Sequence, residues 1–158
     1  MEIKTGRQVI DIEIKALNLL KNYISKDFVK VVNLLLKNKG KIVVSGIGKS
    51  GHIAAKIAAT LASLGTPSQY VNAAEAGHGD LGMITEDDVV LALSNSGNTS
   101  ELTSIANFTQ IRKIPLIAII SKTNSMLGRV ADIVLTLGKI DEACPLGLAP
   151  TTSSTVML

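Results

Sequence analysis

The sequence has no tryptophan, few aromatic residues and a single cysteine. Aromatic side chains make up 3% of the 158 residues and hydrophobic side chains make up 46%, so an aliphatic core is expected. Because Cys144 stands alone, an internal disulfide and a cysteine-cluster zinc site are excluded, which fits a reducing compartment. No apolar run approaches the roughly 20 residues of a membrane span, and no signal-peptide pattern opens the chain. These absences predict a cytoplasmic protein with no membrane partner.

The basic residues are concentrated at the start of the chain. Residues 1–41 contain nine Lys or Arg against four Asp or Glu, whereas residues 42–158 contain seven against nine. The early lysines follow helix-like sequence without interleaved aromatic residues, which is typical of a solvated helix face. We therefore expect no nucleic-acid partner.

Segments with helical and strand periodicity alternate along the chain. Apolar residues at helical spacing predict two amphipathic helices, at residues 6–24 and 27–38, with Gly40 ending the second. Short apolar runs predict five strands, at residues 41–45, 68–72, 89–93, 116–121 and 133–137. Further helices are predicted at residues 50–64, from the loop after the third strand to Ile111, and near 125–131.

This alternation predicts an α/β fold, a three-layer sandwich in which a five-stranded parallel sheet carries helices on both faces. No interdomain linker is visible. We expect a single domain over residues 1–158, with N-terminal helices in residues 1–40 and the sheet region in residues 41–158.

A glycine-rich turn joins the first predicted strand to the following helix. The segment reads KIVVSGIGKSG over residues 41–51 and leads into an alanine-rich helix at His52. Unpaired N–H groups and the positive end of the helix dipole meet at such a turn, so it can bind an anion such as phosphate. His52 itself is expected to be structural or solvent-facing.

Two nucleotide-binding motifs partly match this turn. Gly46, Gly48 and Gly51 have the spacing of a dinucleotide fingerprint, but the acidic residue expected about 20 positions later is replaced by Asn72. A phosphate-binding P-loop would require glycine at position 43, where the chain has Val43. The P-loop is excluded, and dinucleotide binding remains a disfavoured alternative.

Polar loops follow the first, third and fifth predicted strands, at the edge where parallel sheets bind ligands. The loop SNSGNTSE after the third strand offers the hydroxyls of Ser94, Ser96 and Thr99 beside the flexible backbone of Gly97. Taken alone, these residues also suit an ordinary turn with a capping hydroxyl. Together with the first glycine-rich turn they favour a phosphate site.

Four segments resemble the sugar isomerase (SIS) domain and, within it, the arabinose 5-phosphate isomerases. They are GIGKSGHIAAKIAATLASLGTPS at residues 46–68, EAGHGDLGMIT at 75–85, SNSGNTSE at 94–101 and EACPLGLAPT at 142–151. The resemblance implies a flavodoxin-like five-stranded sheet and conversion of D-arabinose 5-phosphate to D-ribulose 5-phosphate through an enediolate, in Kdo and lipopolysaccharide synthesis. It implies a sugar-phosphate ligand, no cofactor, and a homodimer or homotetramer.

The resemblance also assigns residues to roles. It implies that Lys49, Glu101 and Glu142 are catalytic, and that the substrate is bound by Gly48, Ser50, His78, Ser94, Asn95, Ser96 and Thr99. A metal bound at His78 is expected to inhibit rather than to serve catalysis. Taken singly, Glu101 also reads as a first-turn acid that stabilises a helix N-terminus, and Lys49 and Glu142 read as solvated surface charges.

The chain stops shortly after a helix predicted to start at Thr151. The family carries a further catalytic histidine beyond this point and commonly continues into CBS modules. We therefore expect a truncated chain that binds its ligand but isomerises it poorly or not at all. A non-catalytic phosphosugar-binding regulatory module is the alternative, although residues 1–40 lack the short glycine-containing turn of a DNA-binding helix pair.

Overall fold

The computed structural model describes residues 2–158. Two helices precede the sheet: α1 spans Glu2–Leu20 and is followed by one 3-10 turn, and α2 spans Lys26–Lys37. Ser25 caps α2, since its hydroxyl accepts a hydrogen bond from the N–H of Asp27. Helix α1 begins before residue 6, where its apolar pattern predicts the start, and it ends at Leu20 rather than at residue 24.

The sheet has five parallel strands in the order β2-β1-β3-β4-β5. The strands are β1 Ile42–Gly46, β2 Ser68–Asn72, β3 Val89–Ser94, β4 Leu116–Ile120 and β5 Ile133–Thr136. Every residue of β1 and β3 is buried, as continuous apolar runs in a parallel sheet predict. The predicted α/β class and the five-stranded parallel sheet are confirmed.

Helices cover both faces of the sheet. They are α3 Gly48–Ser63, α4 Ala73–Ala76, α5 Leu102–Arg112, α6 Met126–Val130 and α7 Thr152–Met157, with a 3-10 helix at Asp80–Met83. Alternate residues of β1 pack in different hydrophobic clusters, because successive side chains of a strand point to opposite faces of the sheet. Val43 packs in the cluster that includes Leu102 and Ile105 of α5, whereas Val44 packs with Ala54 and Ala58 of α3.

The end of α3 is closed by a glycine in the left-handed region. Gly65 has φ of +87° and its N–H donates to Ala62 O at 3.0 Å, while Thr66 N donates to Leu61 O at 2.9 Å. This pair of bonds is a Schellman motif, which satisfies the last carbonyl groups of the helix. Gly65 thus ends α3, close to the predicted helix limit at residue 64.

Gly40 does not end α2 in that way, and this prediction is wrong. Helix α2 stops at Lys37, and Asn38 leaves it with extended backbone. Gly40 is instead packed against the turn before β3, where an added Cβ would lie 2.5 Å from Asp87 O. The residue is small because two backbone segments meet there.

Asp88 anchors the amino ends of β1 and β3. Its carboxylate is 2% exposed and accepts bonds from Lys41 N at 2.8 Å, Lys41 Nζ at 2.7 Å and Thr85 N at 2.7 Å. Three donors on one buried carboxylate compensate its loss of hydration. This anchor lies at the edge of the sheet opposite the polar strand-end loops.

Helix α1 contributes no buried residue to the domain. Ala16 and Leu20 pack against Val156 and Met157 of α7, while many of its apolar side chains stay exposed. Within residues 2–158, no helix combines the length and the apolar character that crossing a membrane requires.

Candidate active site

Two of the predicted ligand-binding turns lie at adjacent strand ends. From β1 the chain crosses to β2 on one side of the sheet and then to β3 on the other, so the strand order reverses between β1 and β3. Open parallel sheets bind ligands outside the carboxyl ends of their strands at this reversal. Here α3 starts after β1 and α5 starts after β3, which places two helix N-termini at one edge.

The β1–α3 turn presents positive charge. Gly48 begins α3 with φ of +59°, a conformation that suits glycine. N–H groups in the first turn of a helix have no intrahelical acceptor and are exposed to a ligand. Lys49 is exposed in this turn and has no ion pair within residues 2–158. A lysine at the positive end of a helix dipole is unfavourable without an anion.

Ser50 is directed toward the last helix. Its hydroxyl contacts Met157 Sδ at 3.6 Å, a weak hydrogen bond to a thioether. A ligand that accepts a hydrogen bond from Ser50 would replace this contact with a stronger one.

We call residues 94–101, between β3 and α5, the serine loop. Ser94 is buried, and its Oγ lies 2.7 Å from Thr99 Oγ1 and accepts a bond from Gly97 N at 3.0 Å. The exposed Ser96 accepts a bond from Asn98 N at 3.2 Å. Gly97 has φ of +67° and is buried against Ser125. The loop is therefore ordered by its own hydroxyls before any ligand binds.

The connection between β4 and α6 holds the serine loop from the other side. Four hydrogen bonds join them: Ser121 N to Asn95 O at 3.0 Å, Ser121 Oγ to Asn95 Oδ1 at 2.6 Å, Met126 N to Asn98 Oδ1 at 2.8 Å, and Leu127 N to Gly97 O at 2.9 Å. Residues 95–98 of the serine loop are thus tied to the neighbouring strand connection.

Glu101 stands at the junction of the serine loop and α5, as the N-cap residue of that helix. Its Oε2 accepts a bond from the Ser100 hydroxyl at 2.8 Å. A hydrogen bond from its own backbone N–H, followed by the Ser100 hydroxyl, lowers the pKa of the Glu101 carboxyl below its ordinary value. The group is ionised at neutral pH.

Glu142 is bound to the N-terminus of α7. Its Oε2 accepts bonds from Thr151 N at 2.8 Å, Thr151 Oγ1 at 3.0 Å and Ser153 N at 3.3 Å. Burial alone would raise the pKa of Glu142, but the hydrogen bonds from Ser153 and Thr151 outweigh it and leave the pKa below its ordinary value. Glu142 therefore caps the helix that packs on α1 and α3.

His78 lies near the carboxyl end of β2, between α4 and the 3-10 helix. It is exposed, and its backbone N–H donates to Glu75 O at 2.8 Å. Among residues 2–158, no three His, Cys, Asp or Glu side chains converge as metal ligands. Inhibition by a metal at His78 stays a prediction. The segment around His78 forms two short helices, and Asn72 caps the first by accepting a hydrogen bond from Ala74 N at 3.0 Å.

The structure gathers some predicted site residues and separates others. The glycine turn and the serine loop share one edge of the sheet, but no hydrogen bond or ion pair joins Lys49, Glu101 and Glu142 to one another within residues 2–158. Sequence reasoning also missed the loop after β4, because it considered only three strand ends. The polar run SKTNS, directly after an apolar strand, is the signal that identifies this fourth loop.

Two helix N-termini, an unpaired lysine and ordered hydroxyls define a site suited to a phosphate ester, with ionised carboxylates nearby. These features are typical of α/β proteins that bind phosphorylated ligands. The chain belongs to the SIS domain family, which matches residues 35–158.

Two similar proteins are named arabinose 5-phosphate isomerase KdsD. The one from Yersinia pestis is 50% identical over 155 residues, which are 98% of this chain and 47% of that protein. The one from Pseudomonas aeruginosa is 51% identical over 156 residues, which are 99% of this chain and 48% of that protein. The chain thus spans about half the length of the curated relatives that it matches.

A solved structure has the same fold with a ligand bound. It is the protein c3406 of E. coli CFT073 in complex with arabinose 5-phosphate, with a TM-score of 0.93 and 39% identity, covering 98% of this chain and 82% of that one.

Proposed function

We propose that this domain binds a pentose phosphate and interconverts D-arabinose 5-phosphate and D-ribulose 5-phosphate. The observation that carries the proposal is the serine loop, ordered by Ser94 and Thr99 at the N-terminus of α5 and next to the exposed Lys49. Similarity to the KdsD isomerases and to a protein in complex with arabinose 5-phosphate supports it.

The phosphate binds the serine loop. The hydroxyls of Ser94, Ser96 and Thr99, together with N–H groups at the start of α5, donate to its oxygens. Ser50, Asn95 and the backbone at Gly48 complete the polar surface, and His78 contributes from the loop after β2. Since Lys49 has no carboxylate partner within residues 2–158, its ammonium is available to a ligand anion.

The reaction moves one proton between two carbons. A carboxylate removes the proton from C2 of the open-chain aldose, the electron pair forms the C1–C2 double bond, and the carbonyl electrons move to O1 to give an enediolate. The C2 hydroxyl proton passes to O1, and delivery of a proton to C1 then forms the C2 carbonyl of the ketose. We assign the base to Glu101, whose carboxylate accepts one side-chain hydrogen bond, from Ser100. Bound sugar would exclude water from Glu101 and raise its pKa toward the range that suits a base. Lys49 stabilises the developing oxyanion.

Glu142 differs from Glu101, because three donors at the α7 N-terminus already bind its Oε2. For Glu142 to be catalytic, as predicted, either its hydrogen bonds to α7 must open or Glu142 must act indirectly, by placing α7 against Ser50. A supply of Kdo for lipopolysaccharide, a cytoplasmic location and a homo-oligomeric state remain parts of the same proposal.

The hydrogen bonds of Ser50 to Met157 and of Glu142 to the start of α7 also suit the regulatory alternative, although Glu101 accepts only one side-chain bond, from Ser100. A domain that binds phosphosugars without turning them over needs the serine loop but no base. Binding and proton transfer must therefore be measured separately.

Binding is tested by thermal unfolding with D-arabinose 5-phosphate, D-ribulose 5-phosphate, inorganic phosphate and NAD. A ligand at 100 times its Kd stabilises by about 2.7 kcal/mol, which raises the Tm by roughly 5–11 °C for a domain of this size. We expect selective stabilisation by the pentose phosphates that is lost in Ser96→Ala. Ser63→Ala, at the far end of α3, is the matched control. Stabilisation by NAD alone would overturn the proposal.

Proton transfer is tested by incubating the chain with D-arabinose 5-phosphate in D₂O. Enediolate formation exchanges the C2 proton, so deuterium appears in the recovered sugar even where net turnover is slow. We expect uptake that Glu101→Gln abolishes. Binding without any uptake would favour the regulatory module.

A further inference from the structure

The β4–α6 connection has a fixed position beside the serine loop. The four hydrogen bonds described above join residues 121–127 to residues 95–98, and Gly97 packs directly on Ser125. Side chains on this connection therefore keep a defined place relative to the serine loop.

A pocket of about 660 Å³ lies beside these two segments. Asn95 and Ser96 of the serine loop and Ser121, Lys122 and Thr123 of the β4–α6 connection line it together. The rest of the lining is Tyr23, Thr136, Gly138, Lys139 and Ile140. Its volume lies within the range of small-molecule sites. The lining includes Lys122 and Lys139 and no carboxylate, which suits an anionic ligand.

The serine loop lacks a cation of its own. Residues 94–101 contain hydroxyls, amides and Glu101, whose negative charge opposes a phosphate. Lys49 approaches from the β1 side. On the β4 side Lys122 is exposed and has no ion pair within residues 2–158, and a lysine ammonium binds phosphate as a point charge.

We infer that Lys122 is a ligand-binding residue of this site, which holds the anionic group of a phosphosugar from the β4 side while Ser96 holds it from the serine loop. The inference rests on the proposed function, since it places a sugar phosphate at the serine loop. It adds a binding residue on a strand connection that the sequence motifs do not include.

The test compares Lys122→Gln, Lys122→Arg and Lys56→Gln by calorimetric titration with D-arabinose 5-phosphate. Lys56 is an exposed lysine on α3 and serves as the control. Loss of a hydrogen bond to a charged group weakens binding by about tenfold or more. We expect that increase in Kd for Lys122→Gln, a smaller change for Lys122→Arg and none for Lys56→Gln. The Tm without ligand should not change, and the dependence of Kd on salt should weaken in Lys122→Gln.

Several outcomes overturn the inference. If the unmodified chain binds pentose phosphates and Lys122→Gln binds them with the same Kd and salt dependence, the inference fails while the proposed function stands. The inference also fails if Lys139→Gln, at another lining residue of the pocket, weakens binding while Lys122→Gln does not. No binding by the unmodified chain would overturn both.

Discussion

Replacing Asp88 with alanine should destabilise the domain without touching the candidate site. The Asp88 carboxylate is 2% exposed and accepts bonds from the N–H groups of Lys41 and Thr85 and from the Lys41 ammonium. Removing it leaves two backbone donors and one ammonium without their acceptor. The other end of the sheet, where the serine loop lies, keeps all its contacts.

The expected loss follows from the surroundings of the partner. Removing one member of a buried ion pair costs about 3–5 kcal/mol. The Lys41 side chain is 24% exposed, so its ammonium can be hydrated after the substitution. We therefore expect a loss of stability at the lower limit of this range. A loss of about 3 kcal/mol corresponds to a fall in Tm of roughly 6–12 °C for a domain of this size.

Urea unfolding monitored by circular dichroism measures this loss. The control is Asp87→Ala, which removes an exposed carboxylate from the neighbouring position. A loss below about 1 kcal/mol, or one equal to that of the control, would refute the view that Asp88 anchors β1 to β3.

The stabilisation that Asp88 provides depends on pH. Burial would raise the pKa of Asp88, but hydrogen bonds from Lys41 and Thr85 outweigh it and hold the pKa below the ordinary value of 3.8. A lowered pKa means that the folded state binds its proton less readily than the unfolded chain. Its stabilisation is complete above pH 3.8 and is lost as the pH falls below that value. Asp88→Ala should flatten the loss of stability in this acidic range.

Two further changes test local features. Lys113 ends α5 with φ of +56°, so Lys113→Gly should raise the free energy of unfolding by about 0.5–1 kcal/mol, whereas Lys113→Ala should give no gain. Equal urea midpoints for both variants would contradict this account. Glu142→Ala removes the cap of α7 and should cost about 1–2 kcal/mol, while Glu142→Gln keeps an acceptor oxygen and should cost less. The explanation fails if both variants unfold at the same urea concentration.

The fold could be predicted from sequence because its signals are local. Buried parallel strands are continuous apolar runs, and each of the five strands was placed within a residue or two of its observed limits. Gly40 is one exception, since a glycine after a helix suggests a cap, whereas this one is required by contact with Asp87 across the sheet edge. Contacts between distant segments have no signature in the neighbouring residues.

The site was predictable only in part for the same reason. Gly48, Ser94 and Thr99 follow apolar strands in motifs that indicate anion binding. The bond from Ser50 to Met157 joins positions 107 residues apart, and the cap on Glu142 depends on how the last segment folds back. Neither could be inferred from spacing. The loop after β4 lacks glycine in its first residues, and its role depends on bonds to Asn95 and Asn98.

The interior place of β1 in the sheet has a consequence for synthesis of the chain. Although β1 precedes the other four strands in the sequence, one of its two neighbours is β3, whose residues begin at Val89. Until that segment emerges, one edge of the strongly apolar run Ile42–Val44 has no partner. An unpaired apolar edge promotes aggregation of nascent chains. The interval between synthesis of β1 and synthesis of β3 is therefore the period in which this edge is open to pairing with another chain.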